Sequence, residues 1–481
     1  MNDVLIRYIQ RQMLTGHSLM SRKSAGPNGR KLPSRTMTVL IQKRVKDFLT
    51  NSSTAERWIV VPGLRGVGKT TITAQTYLWI ESSVGQKVNQ IYISLDEVVE
   101  RFDSNLADVL DAYQSVLGAT FESLKQPTFI FIDEVQSDPN WARTLKFIYD
   151  RTDNLFFLCT GSSATHLQMD ADVEGRRARI DKLYPLSFPE YQVLTTETLP
   201  AKGFKDYLLD ALYYSRDAEE VFTKLSTSTT LVNQQWAKYD RNSISKYIKT
   251  GTMPFTLNKD PGGVYEALKA MVDKVITTDL QSLRHFTPDS ITAMKRLIFI
   301  LADSGDIVTL DNLAKWVGTS KPQLLNMFDA LLKAELLIKV PAHGSNTTAT
   351  RNPARYHFMS AAIRAAYHDI VGNPSTEAAR TGLLLEDIAA LHFYREFVTR
   401  QKGSLTYYYD KAGGDCDFIL KVGNTHQIAV EVGMGKKGTG QVEKTMARVD
   451  CRYGIVFSES TLHLHKDKNV VTVPLDYFFL M

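Results

Sequence analysis

Four short apolar runs, at residues 58–61, 90–94, 128–132 and 155–159, alternate with helical stretches early in the chain. Runs that are apolar at every position suit strands buried on both faces. The alternation predicts an α/β unit built on a parallel sheet. Just before it, residues 38–48 place apolar positions at helical spacing with basic residues between, which predicts a helix docked on that unit. After it, residues 195–290 read as helices, with apolar segments at 211–214, 221–225 and 265–275.

Beyond residue 290 the pattern changes. Residues 291–302, 310–317 and 321–334 predict three helices, with a Gly318-Thr319-Ser320 turn before the third. Residues 336–340 and 355–358 predict a hairpin across the polar loop 342–352. Three helices and a hairpin in that order spell a winged helix, whose third helix can enter a DNA groove. The exposed set on that helix, Lys321, Gln323, Asn326 and Asp329, is only weakly basic. A packing or subunit-contact role therefore stands beside DNA contact. Finally, a helix over 376–398 precedes strand-like segments at 405–409, 416–420, 427–432 and 453–457, a second α/β domain.

Composition narrows the class. With 43% apolar residues in 481, the chain can pack about three domains. A net charge of +5 permits a polyanionic partner without demanding one. The three cysteines, Cys159, Cys416 and Cys451, form no C-x-x-C pair, which argues against a zinc site or a disulfide framework. No stretch approaches the roughly 18 apolar residues of a membrane span, so a soluble cytoplasmic protein is expected. The basic run 21–31 reads as part of a solvated lead-in or as a phosphate-contacting arm.

One stretch carries distinct chemistry. Gly63-Leu64-Arg65-Gly66-Val67-Gly68-Lys69-Thr70, followed by Thr71, fits G-x-x-x-x-G-K-[ST] between the first apolar run and a helix start. Backbone N–H groups of such a loop surround the phosphates of a nucleotide. Lys69 would reach the β- and γ-phosphates, and the Thr70 hydroxyl would bind Mg²⁺. The third apolar run ends in Asp133-Glu134, at the strand end where ligands of open α/β sheets sit. Asp133 would hold Mg²⁺ and Glu134 would polarise the attacking water. The fourth run leads into Thr160-Gly161-Ser162-Ser163, where Ser162 is the candidate γ-phosphate sensor, with a helix N-cap as the alternative.

These strings, with Gln136, Trp141, Leu145-Lys146, Gly175-Arg176 and Leu183-Tyr184-Pro185-Leu186-Ser187-Phe188-Pro189-Glu190, resemble a family of prokaryotic AAA-type, STAND-like ATPases. Thr252-Met253-Pro254-Phe255 and Thr278-Asp279-Leu280 fall where that family has two further elements. The resemblance implies ATP and Mg²⁺ as ligands, Arg176 aimed at the γ-phosphate, a winged helix, and a restriction-endonuclease-like C-terminal domain. The last stretch resembles the PD-(D/E)XK core, which implies Mg²⁺ ligands at Glu386, Asp417 and Glu431. That pattern needs a lysine two residues after Glu431, where the chain has Gly433. Lys421, Lys436 and Lys437 are the possible substitutes. An active nuclease, a nuclease fold retained for nucleic-acid binding or assembly, and an unrelated domain all remain open.

The expected fold class is α/β: an AAA-like P-loop parallel sheet with a helical lid, a winged helix and an endonuclease-like α/β domain. The expected boundaries are a basic flexible lead-in over 1–37, the ATPase core over 38–195, the helical lid over 196–290, the winged helix over 291–372 and the nuclease-like domain over 373–481. Two functions compete. One is a Mg²⁺-dependent ATPase acting on or with DNA. The other is a nucleotide-gated switch that sets assembly, homo-oligomeric or with a protein partner, and whose last domain only binds.

Overall fold

The four apolar runs become four strands. In the computed structural model β1 (Trp58–Pro62), β2 (Asn89–Ser94), β3 (Thr128–Asp133), β4 (Leu155–Gly161) and β5 (Arg179–Ile180) form one parallel sheet in the order β2-β3-β4-β1-β5. Residues 3–51, 54–85, 87–162, 177–283, 286–304, 309–368, 376–410 and 412–481 are described. β1, β3 and β4 are buried at every position, as unbroken apolar runs require. Alternate side chains serve the two faces. Trp58, Val60, Ile130 and Ile132 join one core with Leu5, Ile9, Leu110 and Trp141. On the other face Phe129 meets Phe48 at 5.5 Å and Phe131 meets Tyr77 at 5.4 Å. Because β4 is inserted between β1 and β3, the C-terminal ends of these three strands lie side by side.

The flexible lead-in expected over 1–37 is not what the structure shows. Asp3–Lys23 is a 21-residue helix that buries Leu5, Tyr8, Ile9, Gln12, Gly16 and Met20. The apolar period breaks because Gln12 and Gly16 sit on the buried face. Gly16 is there because the helix passes close to Tyr77: a Cβ would lie 2.6 Å from its hydroxyl oxygen. The basic run then folds into a tight turn, with Gly26 N–H donating to Arg30 O at 2.8 Å and Leu32 N–H to Ser24 O at 2.9 Å. The helix Thr36–Thr50 follows.

The chain divides into two compact units, Met1–Tyr184 with Ser282–Arg284, and Pro185–Gln281 with His285–Met481. The boundary expected after residue 195 thus lies before Pro185, and the three expected downstream domains share one unit. Its helical region includes Phe204–Tyr213, Ala218–Trp236 and Pro261–Lys274. Next come the helices Pro288–Asp303, Leu310–Val317 and Lys321–Lys333, then β6 (Leu337–Val340) paired antiparallel with β7 (Arg355–Phe358). Ser320 and Gln323 form a reciprocal cap that starts the third helix. The loop before β7 holds a short helix, Asn346–Arg351, that polar composition does not advertise.

The helix Glu377–Phe393 precedes a mixed sheet of β8 (Gly403–Thr406), β9 (Phe418–Val422), β10 (His426–Val432), β11 (Tyr453–Ser458), β12 (His463–His465) and β13 (Val470–Pro474), in the order β12-β13-β11-β10-β9-β8. The helical region is tied to this sheet. Tyr453 Oη donates to Leu212 O at 2.8 Å, Ala218 N–H to Asn469 Oδ1 at 3.0 Å, and Lys205 pairs with Glu396 at 2.6 Å. Such ties explain why contacts do not separate a lid from a C-terminal domain.

Candidate functional site

Residues 63–68 form one turn between β1 and the helix Lys69–Ser83, whose first turn holds residues 69–71. Gly66 and Gly68 take positive φ of 85° and 98°, which a side chain would resist. Gly63 is squeezed from outside, since a Cβ there would lie 2.4 Å from Leu183 O. Gly68 caps the helix with no side-chain hydrogen bond, so its first N–H groups and positive dipole end face the loop. Lys69 is 7% exposed and its ammonium donates to Gly63 O at 2.8 Å and Leu64 O at 3.3 Å. That set of donors can surround an anion with several phosphates.

Across the turn, Thr70 Oγ1 donates to Asp133 Oδ2 at 2.8 Å. The same oxygen accepts from Tyr92 Oη at 3.0 Å, and Thr160 Oγ1 donates to Asp133 Oδ1. Asp133 is 4% exposed. A hydroxyl and a carboxylate, both hard oxygens at the mouth of a phosphate-sized cup, fit Mg²⁺, which takes one or two protein ligands beside phosphate and water. Glu134 follows in a left-handed conformation, φ 54°, a strained geometry that clusters at functional sites. Burial raises its carboxyl above the usual range, while the Lys69 charge pulls it down.

Gln136 bridges this acid to the end of β4. Its Nε2 donates to Glu134 Oε2 at 2.5 Å, and its Oε1 accepts from Ser162 N–H at 3.1 Å. The bond favours the ionised carboxylate. Replacing Gln136 with alanine is therefore expected to move the acid limb of the ATPase pH profile up by about one unit, the worth of a charge-assisted hydrogen bond of roughly 1.5 kcal/mol. An unmoved limb in a steady-state pH series would remove Gln136 from the site.

The sequence-predicted residues thus converge, with two adjustments. Ser162 meets the site through its backbone N–H on Gln136, whereas Thr160, two residues earlier, carries the hydroxyl bound to Asp133. Arg176 lies outside the described residues, as does the Gly175 before it. Arg35 was not foreseen. It is 6% exposed and donates to Val67 O at 2.8 Å and Tyr184 O at 2.9 Å, fastening the loop to the strap after β5. Nothing local in the sequence around it marks this arginine for that task.

In the other unit, Glu386, Asp417 and Glu431 come from the Glu377–Phe393 helix, the residue before β9 and the body of β10. Val432 N–H donates to Asp417 Oδ2 at 2.9 Å, and Phe418 pairs with Val430 across the strands. Glu431 is 1% exposed and its Oε2 has no hydrogen-bond partner among the described residues. Burial first, and then the Asp417 charge, push both glutamates above the carboxylate range. Among the described residues no three His, Cys, Asp or Glu side chains converge as a ready metal cage. The orphaned Glu431 oxygen and the repelling acids nevertheless suit a cation held by one or two carboxylates plus water. Of the three candidate lysines, Lys437 is the one bonded to Glu431 among the described residues, at 3.4 Å.

Among the described residues no helix is long and apolar enough to cross a membrane. Residues 55–192 match the family model of the AAA domain. Over 443 residues the chain is 29% identical to the uncharacterized protein MJ1637 of Methanocaldococcus jannaschii, covering 92% of this chain and 88% of that one. It is similar to the solved Aeropyrum pernix ORC1 protein in complex with DNA, at 12% identity over 70% of this chain and 93% of that chain, TM-score 0.32. It is also similar to AMPPCP-bound DnaA from Aquifex aeolicus, at 13% identity over 62% and 89%, TM-score 0.26. The stretch 55–192 is thus similar in sequence to the AAA domain, and the phosphate loop at residues 63–71 lies inside it.

Proposed function

We propose that this chain binds ATP with Mg²⁺ at residues 63–71, hydrolyses it, and uses the cycle to act on or with DNA through its second unit. The observation that carries the reading is the Thr70–Asp133 hydrogen bond of 2.8 Å at the uncapped end of the Lys69–Ser83 helix. Lys69 neutralises the β- and γ-phosphates, and Thr70 and Asp133 hold the metal. Bound Mg²⁺ supplies charge neutralisation on the phosphate oxygens. Glu134 takes the proton of the attacking water, and Tyr92 and Thr160 keep Asp133 turned toward Thr70. Arg176 remains the proposed arginine of the charge shell.

The DNA half of the proposal rests on two features. The three helices and the β6–β7 hairpin have the order of a winged helix. The C-terminal sheet gathers Asp417 and Glu431 beside the Glu386 helix, as an endonuclease-like core would. A second reading, the nucleotide-gated assembly switch, is favoured by the surface of the three-helix unit. There Lys321 pairs with Asp311 and Lys333 with Asp329, while Trp316 and Leu325 are 53% and 46% exposed. Neutralised lysines and bare apolar side chains suit a protein partner more than phosphates.

Steady-state ATP turnover with and without duplex DNA separates the two, run beside light-scattering mass in ATP. Several-fold stimulation by DNA is expected. Turnover indifferent to DNA of every form, with a mass that grows in ATP, would select the switch.

A further inference from the structure

Gly433 stands where the endonuclease-like pattern needs a lysine, and the structure shows what occupies its side-chain space. A Cβ built on Gly433 would lie 2.1 Å from Lys437 Cε and 2.9 Å from Lys437 Nζ. The Lys437 side chain thus fills the place that a side chain at 433 would take. The route is a short reversal. Gly435 adopts φ 73°, and Glu459 pins the turn from both sides, its N–H donating to Gly435 O at 3.0 Å and its Oε2 accepting from Gly435 N–H at 3.0 Å. The reversal returns Lys437 over the end of β10, where its ammonium meets Glu431 Oε1 at 3.4 Å.

The other Glu431 oxygen is buried and accepts no hydrogen bond among the described residues, which leaves it open to a cation. Alongside lies a cavity of about 560 Å³ whose largely apolar lining includes Lys339, Asn352, Arg355 and Glu386. Arg355 also donates to Asp417 O at 3.1 Å, which ties the cavity wall to the acid pair. The cations Lys339 and Arg355 lining the same cavity as the Glu386 carboxyl suit a backbone phosphate held with a divalent ion.

We infer that Lys437 replaces, from four residues downstream, the lysine missing at position 433, and receives a DNA phosphate held with a divalent cation at Asp417 and Glu431. The inference rests on the DNA-acting reading of the second unit. Gly433 is then required by function: any side chain there evicts the ammonium.

The test uses the full chain without nucleotide, a labelled DNA duplex, and Ca²⁺ as the ion, with anisotropy read across a salt series. Wild type is expected to bind more tightly with Ca²⁺ than with EDTA, and Asp417→Asn to lose that difference. Lys437→Ala is expected to weaken Ca²⁺-dependent binding about tenfold and to lower the log–log salt slope by about one, the signature of one lost phosphate contact. Adding Gly433→Lys to Lys437→Ala rebuilds an ammonium in the vacated space and is expected to restore affinity and slope, which a merely structural role would not do. Wild-type behaviour of Lys437→Ala, or no recovery in the double variant with an unchanged melting temperature, overturns the inference and leaves the DNA reading standing. Binding that ignores Ca²⁺ in wild type and Asp417→Asn alike also overturns the inference alone, whereas no binding of the duplex under any condition overturns the DNA reading with it.

Discussion

Replacing Glu134 with glutamine is expected to stop ATP turnover while ATP stays bound. Glutamine keeps the shape and the neighbour Gln136 but cannot accept a proton from water. Proton transfer by a placed side chain is worth roughly 10² to 10⁴ in rate, so a fall of about a thousandfold is anticipated. Phosphate release gives the rate, and a fluorescent ATP analogue gives the affinity. Near-normal hydrolysis by the variant would move the base elsewhere. The pH profile adds a check of sign. Burial holds the Glu134 carboxyl above the ordinary range. A base works only when deprotonated, so wild-type turnover should rise with pH through that elevated value. The residual rate of the glutamine variant should show no such limb.

The second large effect is on stability, in the second unit. Asp387 is fully buried and takes both arms of Arg364, Nε at 2.6 Å and Nη2 at 2.9 Å. It also accepts from Phe358 N–H at 3.0 Å, and Arg364 Nη1 donates to Leu301 O at 3.0 Å. The pair therefore joins β7, the Ala361–His368 helix, the end of the Pro288–Asp303 helix and the Glu377–Phe393 helix. Asp387→Ala leaves a buried guanidinium uncompensated, at a cost of about 3–5 kcal/mol. Calorimetry should show the second unit melting roughly 10 °C lower; a loss within 2 °C would deny the pair its role. Burial alone would raise the Asp387 carboxyl, but Arg364 and His357 outweigh it and hold it low. Its stabilisation is complete above the unfolded aspartate value of about 3.9. It is lost as pH falls through the lower folded value.

What could be read from the chain was what local pattern encodes. The strands β1, β3 and β4 were legible because each is apolar throughout and ends at a chemically marked turn. The helices Leu310–Val317 and Lys321–Lys333 were legible because Gly318 and Ser320 punctuate them. The phosphate loop was legible because spacing alone defines it. Contacts set by the fold were not. The Asp3–Lys23 helix is legible as a short amphipathic piece over 4–13, but Gln12 and Gly16 hide how far its buried face runs. β12 lies within a His- and Lys-rich stretch with little apolar period, and β13 follows it. Thr160 outranks Ser162 only because β4 lies beside β3. Lys437 stands at the wrong spacing along the chain and reaches the right place only through the Gly435 reversal.

The match to the AAA domain starts at residue 55, yet the guanidinium that fastens its phosphate loop belongs to residue 35. Two helices upstream of the match complete the walls of the same sheet. A recombination event that copied only the recognisable stretch would transplant the motif without its fastening. The heritable module is longer than the signature by which it is found, and the leading basic segment should travel with it.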